Sequence, residues 1–357
     1  MAKRISQLDT IRGVATLGIF IMNSVSFGLG GIAVYQLSAA GSYTTLDWCF
    51  GIFGEVFADQ KFMGLFSLLF GASLILFLDR TRDRTQSPIR LSLWRNVILL
   101  GFGAIHSTFW EGDVLTIYGY CAPILLIFRK AKAKTLMWAG ISVFGFSILF
   151  LCLMSASINT LDASVSPAEQ EFSEIWLEYI LFDAFARALG MMLIGMSLYR
   201  SHWLTEPLSV SHLRLSCWAL AIGASLSLLG VYWTSLHNFS IHAVFMGNLP
   251  NMLATIPMTI AYVALLKWWD ENGYGRRVLT KVQALGRMAL THYLSQTAFG
   301  IGLVSVVPAD FISRSTLWLA ILSIWVFQLW ISEWWLNRFK MGPVERLWRI
   351  LTYRSWS

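Results

Sequence analysis

The sequence predicts an all-α, polytopic membrane protein with about ten transmembrane helices and one short interfacial or re-entrant helix. Hydrophobic residues make up 56% of the 357-residue chain and charged residues only 13%, against about 25% charged residues in an ordinary soluble domain. Apolar runs of spanning length recur from end to end, with no room for a soluble domain between them. Because backbone exposed to lipid must satisfy its own hydrogen bonds, these runs are expected to be helices.

The ten predicted spans form a single integral-membrane domain, residues 1–357. A shorter apolar segment, 46–58, contains glycines and acidic residues and is predicted to be the interfacial or re-entrant helix. The first apolar stretch lacks a small-residue cleavage site, so a removed signal peptide is not expected. The spans are predicted at residues 13–33, 61–78, 94–110, 113–129, 135–157, 176–199, 213–235, 247–267, 287–307 and 316–336.

The polar segments between the spans justify these boundaries in order. The first span follows a basic N-terminus, and the second begins at Lys61. The third and fourth are separated only by the triplet EGD (111–113), which is typical of a tight hairpin. RKAKAK (129–134) precedes the fifth span and the acidic loop 158–175 precedes the sixth. Polar loops separate the remaining spans, and the basic segment 338–354 follows the last one.

Charge is distributed unequally between alternate loops. Most of the 27 Lys and Arg residues lie in the N-terminus and in 79–95, 129–134, 200–214, 267–287 and 338–354. This is the positive-inside pattern, which predicts cytoplasmic termini and an outward-facing tip at 111–113. The net charge of +7 is therefore explained by the topology of the chain. Binding of anionic lipid or of a cytosolic phosphate ligand is a secondary interpretation of the basic residues. The opposite set of loops is acidic and contains Asp162, Glu169, Glu171 and Glu174.

Several function classes lack their motifs. The four cysteines have no CxxC pairing and the histidines no HExxH spacing, so neither a disulfide framework nor a metal site is expected. There is no Walker A motif, Gly-x-Ser-x-Gly elbow or GxGxxG after a strand. These absences argue against an ATP-driven pump, an α/β-hydrolase and a dinucleotide enzyme. The sequence has no clear internal repeat, which makes an inverted-repeat transporter less favoured without excluding it.

Charged and amide side chains within spans need a partner or a function. Asp9 and Arg12 lie three residues apart, which suits an ion pair, either as a membrane-end anchor or as part of a site. Asn23 is expected on the same helix face as Arg12. A polar face of this kind usually lines a bundle interior or a water-filled cavity.

Three further groups are candidate binding residues. Lys61, near Glu55 and Asp59, is expected to neutralise these carboxylates, with anion binding in an outward cavity as the alternative. Arg187 follows Asp183 by four residues, which favours a structural pair over an anion contact. His292 and Gln296 are also four residues apart, nearer the cytoplasmic end of their span.

The segment GAIHSTFWEGDVLTIYGY (103–120) holds the strongest candidates for chemistry. His106 shares a helical face with Trp110 and Asp113 if the helix continues, and Asp113 can turn back towards the imidazole if Gly112 breaks it. A carboxylate that fixes its tautomer makes histidine a general base. A buried structural histidine is an equally weighted alternative. Glu111 and Tyr118 complete the candidate group.

Six segments together resemble the YeiB-like family of bacterial inner-membrane proteins, a domain of unknown function. They occur in the family's order from end to end of the chain. The resemblance implies a multi-pass protein of the bacterial inner (plasma) membrane. The segments are RISQLDTIRGVATLGIFIMN (4–23), KFMGLFSLLFGASL (61–74), IHSTFWEGDVLTIYGY (105–120), ALGMMLIGMSLYR (188–200), LGRMALTHYLSQT (285–297) and GPVERLWRILTY (342–353).

The family is distantly similar to transmembrane acyltransferases, including the lysosomal heparan-α-glucosaminide N-acetyltransferase. The O-acetylating branch carries Arg-x10-His in its first span, whereas here Asn23 stands eleven residues after Arg12. The heparan branch shares the Asp-x-x-Arg-Gly opening, but its catalytic histidine has no match in YTTLDWCFGIFGE. His106 is therefore a hypothetical replacement. His292 is a weaker candidate, because the family pattern ALTNYL has asparagine at that position.

The favoured hypothesis is an O- or N-acyltransferase that uses acetyl-CoA or another acyl-CoA. His106 and Asp113 would activate the acceptor, Arg12 and Asn23 would line the donor path, and basic cytoplasmic side chains would hold the CoA phosphates. The alternatives are a transporter or flippase using the same polar cavity, and a scaffold or sensor. Expected partners are membrane lipids and a small-molecule or glycan acceptor, without nucleic acid; a homo-oligomer is left open. The proposed phosphate-binding residues are Arg80, Arg82, Arg84 and Arg95.

Overall fold

The computed structural model describes residues 5–82, 85, 87–160 and 174–354. Within these ranges the regular secondary structure is entirely helical and contains no strand, which confirms the predicted all-α class. Several charged residues used in the sequence argument lie outside the described residues: Lys3, Arg4, Arg84, Asp162, Glu169 and Glu171.

The helices of the described ranges follow in chain order. A π-helical turn, Gly54–Ala58, continues from α3, and short 3-10 turns follow α6 and α12. The helices are α1 (Ser6–Leu29), α2 (Gly31–Tyr35), α3 (Thr45–Phe53), α4 (Lys61–Thr81), α5 (Pro88–Ser107), α6 (Leu115–Ile127), α7 (Ala133–Thr160), α8 (Glu174–Arg200), α9 (Val210–Leu236), α10 (Ile241–Asn272), α11 (Arg276–Gly286), α12 (Ala289–Val306), α13 (Arg314–Leu336) and α14 (Pro343–Arg354).

A helix occupies each of the ten predicted spans, and the chain is a polytopic membrane protein. Seven helical segments of the described chain are long and apolar enough to cross a membrane, whereas α5, α6 and α12 are not among them. With 13 residues, α6 is about 20 Å long, shorter than the roughly 30 Å hydrocarbon core. Much of α6 is buried against its neighbours, so it needs protein partners rather than lipid along its length.

The short helix predicted at 46–58 is present as α3 and the π-helical turn, and it leads directly into α4. Together they form one apolar segment of 37 residues, Thr45–Thr81. The helix is interrupted only at Asp59 and Gln60, where Gln60 has a φ of 64°. A side chain other than glycine rarely adopts this conformation, and such positions are often functional.

Small residues allow the helices at the centre of the bundle to approach closely. A Cβ atom on Gly71 of α4 would lie 2.0 Å from the carbonyl oxygen of Met192 in α8. A Cβ atom on Gly195 of α8 would lie 1.9 Å from the carbonyl oxygen of Leu68 in α4. The close contact between α4 and α8 therefore requires that neither Gly71 nor Gly195 carries a side chain.

Two faces of the bundle are useful for locating the site. The terminal face carries the starts of α1 and α5, the ends of α4 and α10, and α14. Ser6 of α1 donates to Asp270 near the end of α10 (2.9 Å), and the indole of Trp94 donates to the carbonyl of Leu351 in α14 (3.2 Å). The hairpin face carries the hairpin tip, residues 108–114, which joins α5 to α6.

We expect Gly71→Ala to destabilise the fold, because its methyl group would collide with backbone rather than with a movable side chain. Overpacking of this kind typically costs about 1–3 kcal/mol. The matched control is Gly101→Ala in α5, where a Cβ atom meets nothing within 4 Å. Thermal unfolding in detergent should show a lowered midpoint for Gly71→Ala alone. Equal midpoints for the two variants would contradict the close α4–α8 contact.

Candidate functional site

The candidate site begins with a buried pair between the end of α5 and the hairpin tip. Nδ1 of His106 lies 2.7 Å from Oδ1 of Asp113. The other carboxylate oxygen of Asp113 accepts hydrogen bonds from the backbone N–H and the hydroxyl of Thr116, both at 2.8 Å. Asp113 therefore caps the start of α6 while it orients the imidazole. The helix α5 ends at Ser107, before Gly112, and Asp113 turns back towards His106.

The second imidazole nitrogen is bound by α12. Nε2 of His106 lies 2.8 Å from Oγ1 of Thr297. Tyr293, one helical turn earlier, places its ring 5.2 Å from the imidazole and donates a long hydrogen bond to Asp113 (3.4 Å). Its hydroxyl also accepts the backbone N–H of Val114 (3.2 Å). Hydrogen bonds to a carboxylate favour its ionised form, so Asp113 can hold the imidazole in one tautomer or stabilise its protonated form.

An aromatic residue separates this pair from the hairpin face. The indole of Trp110 packs against the ring of Phe27 (5.0 Å between centroids) and lies edge-on to His106 (5.9 Å). Its Nε1 donates to Ser26 (3.1 Å). Glu111 is exposed at the tip and does not join the buried group. The indole of Trp110 therefore lies between His106 and the hairpin face.

A cavity of about 470 Å³ approaches the same pair from the terminal face. Residues from α1, α4, α5, α6, α12 and α14 line it. Tyr118 and Tyr293 lie at its inner end, and the Tyr118 hydroxyl is within 2.7 Å of Ser67. Because Tyr293 also contacts His106 and Asp113, the cavity ends one side chain away from the pair.

The cavity is strongly cationic. Arginines from five helical or linking segments line it, whereas among the described residues the only carboxylate in its lining is Glu345. That carboxylate is engaged by the backbone N–H and the hydroxyl of Thr291, at 3.0 and 2.5 Å. A phosphate or another polyanion is the complementary ligand. The lining arginines are Arg12, Arg80, Arg95, Arg287 and Arg349.

Arg95 distinguishes this cavity from an ordinary ion-pair network. Its guanidinium lies over the rings of Phe77 (4.7 Å) and Trp348 (4.0 Å). In the described part of the chain no carboxylate lies within ion-pair distance of it and its guanidinium makes no hydrogen bond. The flat faces are covered by aromatic rings, while the N–H groups at the edge remain available for a ligand.

Arg12 occupies the position expected from the sequence. Its guanidinium lies 3.3 Å from Asp9 and 3.2 Å from the hydroxyl of Ser73, and it lines the cavity. The i,i+3 pair is therefore present and part of the candidate site. Asn23 lies farther along α1 and does not line this cavity.

A separate polar cluster surrounds the helix break at Asp59 and Gln60. Lys61 is fully buried and donates to the carbonyl of Glu55, the hydroxyl of Ser227 (3.2 Å) and the amide oxygen of Asn251. The amide nitrogen of Asn251 in turn donates to Asp59 (3.0 Å) and Glu55 (3.3 Å). Lys61 therefore reaches the carboxylates through Asn251 rather than by direct ion pairs.

Arg187 extends this cluster into α8. It forms an ion pair with Asp183 and a hydrogen bond to the side chain of Gln60. Asp183 also accepts a hydrogen bond from Ser147 of α7. The partners match the structural interpretation of the Asp183–Arg187 spacing, and they tie α7 and α8 to the helix break.

His292 and Gln296 occupy a different interface. Nε2 of His292 lies 2.6 Å from the hydroxyl of Ser332 in α13. Gln296 donates to the carbonyl of Thr16 in α1 (3.0 Å) and to the side chain of Gln328 in α13 (3.2 Å). These contacts join α12 to α1 and α13, and neither side chain lines the cationic cavity.

The structure thus brings together His106, Trp110, Asp113, Tyr118 and Arg12, and it places Lys61 with Arg187 in a second cluster. Tyr293 and Thr297 were not identified from the sequence, although their i,i+4 spacing indicated a shared helix face. Arg287, Arg349 and Trp348 were not distinguished from the other residues of the basic loops. In the described residues no group of three or more His, Cys, Asp or Glu side chains is placed to hold a metal ion.

Comparison with known proteins identifies relatives along the whole chain. A family model described as "Protein of unknown function (DUF418)" matches residues 198–355. Uncharacterized protein YeiB of Escherichia coli K12 is 32% identical over 98% of this chain and 96% of its own length. Uncharacterized protein YxaH of Bacillus subtilis 168 is 27% identical over 99% and 95%, respectively. No solved structure matches.

We expect Arg187→Met to destabilise the protein strongly, because Asp183 would remain buried without its ion-pair partner. Breaking a buried pair on one side typically costs about 3–5 kcal/mol. The double variant Asp183→Leu/Arg187→Met should recover part of this loss. Chemical or thermal unfolding in detergent measures both effects.

The control is Lys281→Met, which removes a partly exposed pair with Glu333 (3.6 Å) and should cost only about 0–1 kcal/mol. If Arg187→Met were no less stable than this control, the structural role of the Asp183–Arg187 pair would be refuted.

Proposed function

The chain belongs to the YeiB-like DUF418 family, and we propose that it is a transmembrane acyltransferase of the bacterial inner membrane. It takes an acyl group from cytosolic acyl-CoA and transfers it to a hydroxyl or amine of an acceptor at or across the membrane. The observation that carries this proposal is a cationic cavity whose inner end lies beside a buried His–Asp pair.

The proposed orientation places the terminal face in the cytoplasm. The described residues of the basic segments 79–95, 267–287 and 338–354 lie on this face, and basic loops are retained on the cytoplasmic side of a membrane. The cavity then opens toward cytosolic ligands. The hairpin tip, with Trp110 and Glu111, faces the opposite side.

The cationic lining supports a donor that carries phosphate groups. Arg80 and Arg95 line the cavity, as expected from the sequence. Arg82 is exposed and does not line the cavity. Arg287 and Arg349 contribute further cationic side chains to its lining. Arginine suits this role because its fork of N–H groups matches phosphate oxygens.

The deeper part of the cavity suits the acyl end of such a donor. Its charged residues lie toward the terminal face, and apolar and aromatic side chains lie toward Tyr118 and Tyr293. Bound acyl-CoA would supply a thioester, which is an activated acyl group. The apolar residues of this part are Phe66, Leu69, Phe70, Leu74, Leu99, Leu115 and Leu290.

His106 supplies the general base in this proposal. Asp113 accepts a hydrogen bond from Nδ1–H of His106, which leaves the lone pair of Nε2 available to take a proton from a nucleophile. General-base assistance typically contributes about 10²–10⁴ in rate. Trp110 covers the imidazole from the hairpin side, so an acceptor from that side reaches His106 only when this indole moves.

We expect Arg95→Gln to weaken acetyl-CoA binding by about 10–100-fold, because a charge-assisted hydrogen bond is worth about 1.5–3 kcal/mol. Arg277→Gln is the matched control, since Arg277 is exposed on α11 and does not line the cavity. Calorimetric titration of the purified protein in nanodiscs measures both dissociation constants.

Equal affinities for acetyl-CoA in the two variants would refute the proposal that this cavity binds the donor. Complete absence of acetyl-CoA binding by the unmodified protein, together with no acylated product in membranes, would refute the acyltransferase function itself.

A second candidate function, a flippase or transporter, is favoured by the cluster at the helix break. Membrane transporters commonly place substrate and ion sites at discontinuous helices. Glu55 and Asp59 line two small cavities on either side of α2 and its following residues, of about 50 and 30 Å³. Buried charged residues at such a break suit translocation of a charged group.

The flippase alternative predicts that Lys61→Met abolishes translocation of an NBD-labelled anionic phospholipid in proteoliposomes while Arg95→Gln does not. Lys61 holds the break together through Asn251, whereas Arg95 belongs to the other cavity. Dithionite quenching measures the translocated fraction. Translocation no faster than in protein-free vesicles would argue against a flippase of such lipids.

A further inference from the structure

We propose that Thr297 is the nucleophile of the acyl transfer and carries the acyl group as an ester on its Oγ1. The inference rests on the proposed function and adds a covalent step to it. The acyl group then moves first from the donor to Thr297 and afterwards from Thr297 to the acceptor, so the two substrates need not be bound together.

The three side chains form the arrangement that activates a hydroxyl nucleophile. Oδ1 of Asp113 lies 2.7 Å from Nδ1 of His106, and Nε2 of His106 lies 2.8 Å from Oγ1 of Thr297. A nucleophile within hydrogen-bond reach of a base, with the base oriented by a third group, is the recurring geometry of covalent acyl transfer. This geometry is recognised by distances and roles rather than by the order of residues in the chain.

The Thr297 hydroxyl does not bond to its own helix. A threonine within a helix commonly donates to the carbonyl four residues earlier, as Thr16, Thr81, Thr255 and Thr352 do here at 2.7–3.0 Å. Thr259 and Thr291 instead donate to other segments of the chain. For Thr297 the described residues offer the hydroxyl only the imidazole of His106. The hydroxyl is thus aimed at a base, away from its own helix.

Thr297 also lies close to the inner end of the cavity, behind Tyr293. It lies one helical turn beyond Tyr293 on the same face of α12, and Tyr293 lines the cavity and contacts His106. In this proposal the thioester reaches Thr297 when the buried ring of Tyr293 moves aside. Thr297, His106 and Asp113 are all buried, and exclusion of water protects an ester from hydrolysis.

The first half-reaction needs only these three side chains and the acyl-CoA of the proposed function. Oγ1 of Thr297 attacks the thioester carbonyl carbon while Nε2 of His106 takes the hydroxyl proton. The C–S bond of the tetrahedral intermediate then breaks. The proton on Nε2 passes to the departing sulfur, which leaves free CoA and an acyl ester on Thr297.

The second half-reaction reverses the roles of the same residues. The acceptor hydroxyl or amine gives its proton to Nε2 of His106 and attacks the ester carbonyl carbon. The bond between the carbonyl carbon and Oγ1 of Thr297 breaks, and Oγ1 recovers the proton from Nε2. The acceptor leaves with the acyl group, and Thr297 is free.

The decisive experiment needs no acceptor. Purified protein in nanodiscs is incubated with unlabelled acetyl-CoA and labelled free CoA, and transfer of the label into acetyl-CoA is measured; octanoyl-CoA is used in parallel. A covalent acyl-threonine makes the first half-reaction reversible, so the unmodified protein should catalyse the exchange. Thr297→Ser keeps a hydroxyl and should retain it, whereas Thr297→Ala and His106→Gln should lose at least 100-fold.

Two further readouts separate a chemical role of Thr297 from a structural one. Thr297→Ala should bind CoA with an affinity within about threefold of the unmodified protein, because Thr297 does not line the phosphate-binding part of the cavity. Mass spectrometry of protein quenched with acetyl-CoA should find an added acetyl group on the peptide containing residue 297. If Thr297→Ala does not fold, retention of exchange in Thr297→Ser and the position of the acetyl group in the peptide map still test whether Thr297 is the nucleophile.

The possible failures are distinguishable. If the unmodified protein binds acetyl-CoA and yields acylated product in membranes but shows neither exchange nor a labelled peptide, transfer is direct and Thr297 is not the nucleophile. Exchange that persists in Thr297→Ala, or a label on another residue, also overturns the inference. Absence of both CoA binding and product refutes the proposed function as well.

Discussion

The hydrogen bond between His106 and Asp113 is the contact on which the candidate site depends. It joins the end of α5 to the hairpin tip, and the same carboxylate caps α6 through Thr116. The second imidazole nitrogen joins these helices to α12 through Thr297. Because α6 is too short to span the membrane alone, its position depends on such contacts with neighbouring helices. The inner end of the cavity, formed by residues of α6 and α12, is held by the same interactions.

The two buried clusters of charge differ in what their cations contact. Arg187 has a carboxylate partner four residues away, and Lys61 is surrounded by neutral oxygens. These contacts compensate the cost of removing a cation from water. Arg95 has aromatic rings on its faces and, within the described chain, no carboxylate. Cation–π contacts offset only part of its desolvation. The cationic cavity is therefore the place where an anionic ligand would contribute most, which is why the acyltransferase proposal is preferred to transport.

Much of this architecture could be predicted from the sequence because hydropathy and charge act locally. The apolar runs indicated helices at every span, and the spacing of His106 and Asp113 indicated a contact across the tip. Thr297 could not be identified in this way, since it is 191 residues from His106 in the chain. Arg349 could not be separated from its neighbours, because every basic residue of those loops contributes to the same topology signal. Local patterns identified the helices, and tertiary contacts decided which side chains meet.

The position of His106 also bears on the resemblance to acyltransferases that carry a histidine in the first span. In this chain Arg12 still lines the cavity, held by Asp9 and Ser73, whereas Asn23 does not. In the proposed mechanism the base comes instead from α5, where His106 lies behind Tyr293 as seen from the cavity. A general base must occupy a position in space relative to the thioester, and neighbouring helices can supply it equally well. Loss of histidine from α1 is therefore compatible with acyl transfer, provided that a nucleophile lies within reach of the relocated imidazole, and Thr297 meets that condition.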